Sequence, residues 1–212
     1  MKKVHVFDRP DELPLRVDFA GGWLDVPKLS RKGAYIVNCT ITPKVSLNNW
    51  PYKKGSGLGG SAAHSILMGH NSVLTELKMG VGWQDPAVIL ETGLCVWRSG
   101  KKPVLEMKIN PDILNHKMAL LWTNKDHYTP GHVDRARDYN KVEIAGKIAF
   151  DGVAKKDIKK ICKSIDASYK IQLSEGMQKL PKFGEMAKKY SGGGHGGYAL
   201  YVFDSKKTGT SS

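Results

Sequence analysis

The stretch Gly55-Ser56-Gly57-Leu58-Gly59-Gly60-Ser61-Ala62-Ala63 is a glycine-dense loop that runs straight into an amphipathic segment, read as a helix opening near Ser61. Its four glycines leave the backbone free to adopt left-handed conformations and let its N–H groups approach a ligand without Cβ interference. The unpaired N–H groups and positive dipole end of the following helix add to that loop, and together they make an anion site of the kind that holds phosphate.

Several readings of such a loop compete. A Walker A loop requires Lys and then Ser or Thr after the last glycine, whereas Gly60 is followed by Ser61, Ala62 and Ala63, so that reading fails. A dinucleotide fingerprint needs an apolar strand just before the glycines. Here Asn48 to Lys54 is polar and broken by Pro51, although Glu76 stands at roughly the distance of a ribose-binding acid. A plain flexible turn before a helix is the third reading.

Working outward, Leu15 to Ala20 alternates apolar and polar residues like a half-buried strand, ends at Gly21-Gly22, and is followed by a turn through Trp23-Leu24-Asp25-Val26-Pro27. Ala34 to Ile41 and Lys44 to Leu47 read as two strands separated by Pro43. The helix after the glycine loop extends to Gly80-Val81-Gly82, and Trp83-Gln84-Asp85-Pro86 follows as a loop. Val88 to Leu90, Leu94 to Trp97 and Val104 to Ile109 read as short strands, and Met118 to Trp122 as a buried one. Thr123 to Gly131 is a polar loop dense in side-chain donors. Helical patterns cover about 135–150, 154–173 and a short piece near 183–189. A second glycine cluster, Lys189-Tyr190-Ser191-Gly192-Gly193-Gly194-His195-Gly196-Gly197, feeds the strand from Tyr198 to Phe203. Its five glycines cost too much backbone entropy to be a mere linker.

With 212 residues, 41% hydrophobic and 25% charged, the chain has ordinary globular composition. The N-terminus lacks an apolar leader and no segment approaches a membrane span, which reads as a cytoplasmic protein without a membrane partner. Cys39, Cys95 and Cys162 are odd in number and far apart, with no zinc spacing, and read as buried free thiols. A net charge of +13 favours anionic partners. The lysines of Lys155 to Lys163 fall opposite an apolar helical face, so a solvated helix ranks above a nucleic-acid patch.

Three segments now stand in order: R-V-D-F-A-G-G-W-L-D-V-P from Arg16, G-S-G-L-G-G-S-A-A from Gly55, and K-Y-S-G-G-G-H-G-G-Y-A-L-Y-V-F from Lys189. Together they resemble the three motifs of the GHMP kinase superfamily. The Gly82-Trp83-Gln84-Asp85 sequence resembles the branch containing L-fucose kinase and D-glycero-D-manno-heptose 7-phosphate kinase. The resemblance spans about Leu15 to Phe203, in a shortened form. It implies a two-lobed α+β fold, with an N-terminal lobe like ribosomal protein S5 domain 2 over residues 1–112. An abbreviated α+β C-terminal lobe would cover 113–204; the polar chain end S-K-K-T-G-T-S-S over 205–212 is read from its composition as a disordered tail.

The activity so implied is transfer of the γ-phosphoryl group of ATP to a sugar hydroxyl, in that branch the anomeric one. By the resemblance Gly55, Gly57, Leu58, Gly59, Gly60 and Ser61 would wrap the nucleotide phosphates, and Ser61 with Glu76 would hold Mg²⁺, a solvated surface carboxylate being the alternative at Glu76. Asp85 would be the catalytic Asp that accepts or orients the hydroxyl proton, and Arg16 the basic residue that pairs with it and stabilises developing negative charge. Asp25 would bind sugar hydroxyls, and Gly193 and Gly194 of the third motif would border the substrate. Expected partners are ATP and a small-molecule sugar or sugar phosphate, in a monomer or a homo-oligomer. A non-catalytic relative that binds sugar or nucleic acid is the second reading, and a Rossmann-type oxidoreductase the third.

Overall fold

Strand β1, Leu13–Ala20, carries the period-two pattern that organises the molecule. Leu15, Val17 and Phe19 are fully buried in the core, while the alternate positions Arg16 and Asp18 face a cleft. The computed structural model describes residues 9–127 and 136–204. The expected tail over 205–212, and Tyr128 to Gly131 of the polar loop, lie outside them.

β1 pairs antiparallel with β2, Tyr35–Val45, which pairs with β3, Leu94–Arg98, and that with β4, Leu105–Ile109, giving the sheet order β1-β2-β3-β4. A second antiparallel sheet has the order β5-β7-β6, from β5, Met118–Trp122, β6, Ala187–Tyr190, and β7, Tyr198–Val202. Helices α1, Gly60–Leu67, α2, Ser72–Lys78, and α3, Gln84–Glu91, lie between β2 and β3 in the chain. The long helices α4, Tyr139–Ala154, and α5, Ile158–Ser174, lie between β5 and β6. α4 packs on β2 and β1, and α5 packs on β1 and β6, so this helix pair joins the two sheets. The approach is close: a Cβ at Gly146 of α4 would lie 2.3 Å from the Tyr35 carbonyl oxygen. One buried cluster accordingly contains Val17, Leu58 and Val96 together with Ile161 and Leu200.

This is the α+β architecture expected, with local departures. The expected two strands around Pro43 are one strand, β2, with Pro43 in the irregular stretch of the β1 pairing between the partners Ile41 and Val45. The single helix after the glycine loop is two. Gly69 (φ 78°) ends α1 in a Schellman motif, His70 N–H bonding Ser65 O and Gly69 N–H bonding Ile66 O, and Asn71 Oδ1 caps α2 by accepting from Leu74 N–H. Val88 to Leu90 is not a strand but the last turns of α3, and Ala187 to Lys189 is not helical but part of β6. The three cysteines are free and buried, as expected. No helix among the described residues is long and apolar enough to cross a membrane.

Candidate active site

A cleft of about 490 Å³ opens beside the glycine loop and is walled by both sheets' connections. At its centre Arg16, 3% exposed on β1, forks onto Asp85: Nε donates to Oδ1 at 2.7 Å and Nη2 to Oδ2 at 2.6 Å. The third arm, Nη1, donates to Gly57 O at 2.7 Å, so one guanidinium ties the carboxylate to the glycine loop. Burial works against the Arg16 charge, but the Asp85, Asp18 and Asp25 carboxylates together outweigh it and hold the guanidinium above its ordinary pKa.

Asp85 stands in the first turn of α3, where a negative side chain suits the helix dipole. Its position is fixed by the preceding residue but one. Trp83 is fully buried, edge-on to Trp97 at 6.0 Å, and its Nε1–H donates to Gly100 O at 2.8 Å. Between them Gln84 N–H and Nε2 donate to Asp25 at 3.1 and 3.3 Å. Gly82 is required here, since a Cβ on it would lie 1.7 Å from Asp25 Oδ2. The Gly82 to Asp85 segment and the first-motif Asp25 therefore form one unit.

Burial pushes Asp25 up to about 6, with the Asp85 charge adding to it and the Gln84 N–H opposing. A carboxyl raised above its unfolded value stabilises the fold below about 3.8, and that contribution is lost as pH rises through about 6. Asp25→Asn is therefore expected to melt higher than the wild type at about pH 8, with the gap closing near about pH 4. An identical gap at both pH values in thermal melts would show that Asp25 ionises in the fold without penalty.

The glycine loop is knitted to its surroundings by backbone bonds. Leu58 O accepts from Arg16 N–H, Ser56 O from Tyr198 N–H and Gly55 O from His127 N–H. Gly59 is left-handed (φ 79°) at the start of α1. Gly55, Gly57, Gly59, Gly60 and Ser61 all line the cleft. Leu58 does not: its N–H is donated to Ser56 Oγ and its side chain is fully buried in the core. Ser61 Oγ donates to Glu76 Oε1 at 3.2 Å, which brings the sequence-predicted metal pair together across the α1–α2 turn. Burial pushes Glu76 up to about 7, and the nearby Asp85 charge adds to the rise while the Ser61 hydroxyl opposes it.

The third glycine segment meets the second. A Cβ on Gly57 would lie 2.9 Å from Ser191 O, and one on Gly192 equally close to Gly57 O. Gly192 N–H donates to Asp18 Oδ1 at 2.7 Å, and Lys189 Nζ is bonded to Asp18 Oδ2. Gly193 lines the cleft, whereas Gly194 faces Met177 and takes the His127 Nδ1–H on its carbonyl at 2.6 Å.

Sequence reasoning assigned no role to Asp18, Lys189, Trp23, Arg137 or Glu175, all of which line the cleft. Asp18 was legible, because it shares the alternating face of β1 with Arg16. Lys189 was hidden by the helical reading of β6. Arg137 and Glu175 sit at the start of α4 and the end of α5, and their approach depends on how the helix pair packs.

No protein-family model matches the sequence, and no curated protein sequence does. The fold has close counterparts among solved structures. A D-glycero-D-manno-heptose 1-phosphate kinase from Bacteriodes thetaiotaomicron superposes with a TM-score of 0.63 at 16% identity, over 92% of this chain and 88% of that one. Lactococcus lactis galactokinase, complexed with galactose, gives 0.61 at 12% identity over 91% and 84%. Streptococcus pneumoniae phosphomevalonate kinase, in complex with phosphomevalonate and AMPPNP, gives 0.59 at 12% identity over 93% of each chain. The three motif segments meet in one cleft on a scaffold that these kinases share, and the chain has the fold of the GHMP kinase superfamily.

Proposed function

We propose that the chain is an ATP- and Mg²⁺-dependent sugar kinase that transfers the γ-phosphoryl group of ATP to a sugar hydroxyl, the anomeric one in the branch its sequence resembles. The observation that carries this reading is the Arg16 guanidinium, which bonds both oxygens of Asp85 and the carbonyl of Gly57 at once. A hydroxyl oriented by Asp85 is thereby held in fixed relation to a loop built to receive phosphates, and catalysis of phosphoryl transfer is mostly such positioning.

In this reading the N–H groups of Gly59, Gly60 and Ser61, at the opening of α1, receive the phosphate oxygens. Asp85 accepts a hydrogen bond from the acceptor hydroxyl on the lone pairs that Arg16 leaves uncovered, and takes or polarises its proton as the oxygen attacks. Arg16 offsets the negative charge that develops between them. Asp25 receives other sugar hydroxyls, and the Gly193 segment borders the acceptor.

Ser61 and Glu76 suit a hard divalent cation. Both offer oxygen, they are already 3.2 Å apart, and the buried Glu76 carboxyl is short of stabilising positive charge. No cluster of three or more His, Cys, Asp or Glu among the described residues forms a cage, so phosphate oxygens and water would complete the shell. A bound Mg²⁺ would neutralise phosphate charge.

The test is ADP release from Mg·ATP over a panel of free and phosphorylated sugars, with L-fucose and heptose 7-phosphate included. Turnover with a sugar, reduced in Ser61→Ala, is the expected result. Absence of ADP release with every sugar, together with no heat of Mg·ATP binding in calorimetry, would sink the kinase reading.

A further inference from the structure

One group of side chains in the cleft has no part in the phosphoryl chemistry. Arg137, just before α4, turns its side chain into the cleft with 1% of it exposed, and donates Nε and Nη2 to the Glu175 carboxylate at 2.6 and 2.8 Å. Its guanidinium carbon lies 4.3 Å from the ring centroid of Trp23. The remaining arm, Nη1, is buried and has no hydrogen-bond partner. A buried guanidinium N–H without an acceptor is costly, and natural folds rarely leave one without a reason. Trp23 adds a second oddity, since it holds φ 78°, a left-handed conformation rare for a bulky side chain and concentrated at ligand sites.

The local charge says what would satisfy Nη1. Arg137 is already neutralised by Glu175, and Arg16 by Asp85, while Asp25 is a further carboxylate lining the cleft. Lys189 is buried and bonded to Asp18. The exposed lysines of the cleft, Lys53 and Lys54, adjoin Gly55 and so stand on the side of the phosphate loop. With its guanidinium already bonded to both oxygens of Glu175, Arg137 has no uncompensated charge to offer, so a dianionic phosphate ester placed against it would also meet the Glu175 carboxylate, whereas a hydroxyl or ring oxygen needs only the N–H.

We propose that Arg137, clamped by Glu175 against Trp23, donates Nη1–H to an uncharged oxygen of the phosphoryl acceptor, so that this end of the cleft selects a sugar unphosphorylated there. The inference rests on the kinase reading and names its acceptor class. Arg137 contacts the acceptor and positions it, and takes no part in the proton transfer.

The experiment compares aldoses, among them galactose and L-fucose, each paired with its phosphate monoester at the end remote from the reacting hydroxyl, in the wild type, Arg137→Lys and Glu175→Gln. The wild type is expected to use the free sugar better than its ester by roughly tenfold or more in kcat/KM. Arg137→Lys keeps the charge but not the planar fork, and should raise KM for the free sugar roughly tenfold with kcat and KM for ATP little changed. Glu175→Gln removes the neutralising charge and should shift preference toward the ester. A wild type that prefers esters, or an Arg137→Lys enzyme that melts normally with unaltered KM for the sugar, overturns the proposal. If Mg·ATP neither binds nor turns over, the kinase reading fails separately. Calorimetric titration with the free sugars then decides the subsite alone: binding weakened in Arg137→Lys upholds it, and no binding in the wild type overturns it.

Discussion

Asp85→Asn is expected to lower kcat for phosphoryl transfer by roughly 10²- to 10⁴-fold, the range in which a positioned acid or base contributes. The substitution keeps the side chain's shape but exchanges one oxygen for an NH₂ that cannot accept from Arg16. The fork of 2.7 and 2.6 Å reduces to a single bond, and the acceptor hydroxyl loses a charged partner. Because this interaction strengthens as the hydroxyl oxygen attacks, kcat and kcat/KM should fall together, with KM for ATP nearly unchanged. Stability will fall too. Arg16 is 3% exposed and would keep Asp18, at 3.6 Å, as its ion-pair partner with the weaker influence of Asp25, a loss on the order of 1–3 kcal/mol. Melting of the variant must therefore be measured beside its kinetics. A folded Asp85→Asn enzyme within tenfold of wild-type kcat would remove Asp85 from the chemistry.

How much of this could be read from the chain depends on the range of the interaction concerned. The alternation of Leu15 to Ala20 exposed β1 because one face of a strand meets the core and the other the cleft, and the same alternation carried Arg16 and Asp18. The glycine loops were legible because few other residues tolerate such backbone crowding. Val88 to Leu90 misled, since a short β-branched run fits strand and helix alike. What decides for helix is the start at Trp83, anchored in the core, from which Pro86 to Ile89 are buried nearly all round the helix while Leu90 is left exposed. β6 misled because four residues hold too little pattern to outweigh the neighbouring helical period, and only pairing with β7 makes Ala187 to Tyr190 a strand. The Arg137–Glu175 pair joins residues 38 apart on the two ends of a helical hairpin, and nothing local announces it. Its signature is visible only in the fold, as a buried donor without an acceptor.

The other large effect concerns stability. Asp18→Asn should destabilise the protein by roughly 3–5 kcal/mol, the usual consequence of leaving one member of a buried ion pair without its partner. Asp18 is 3% exposed and Lys189 equally so, and their bond joins β1 to β6 across 171 residues of chain. Asn can still accept from Gly192 N–H, so the loss falls mainly on the Lys189 ammonium. Against a total stability on the order of 5–15 kcal/mol, and about 2–4 °C per kcal/mol in a chain of this size, the midpoint should drop by about 10 °C. The pH dependence has a definite sign. Burial alone would raise the Asp18 pKa, but Lys189 and Arg16 outweigh it and hold it below its ordinary value. Its contribution is therefore present above about 3.8 and is lost as pH falls through the lower folded value, so the gap between wild type and variant should be full at neutral pH and shrink only in strong acid. Asp18→Asn/Lys189→Met should recover much of the loss, since removing both charges leaves no unpaired ion. A double variant no more stable than the single one would place the cost in the β1 strand itself, and the ion pair would then not be what joins the first motif to the third.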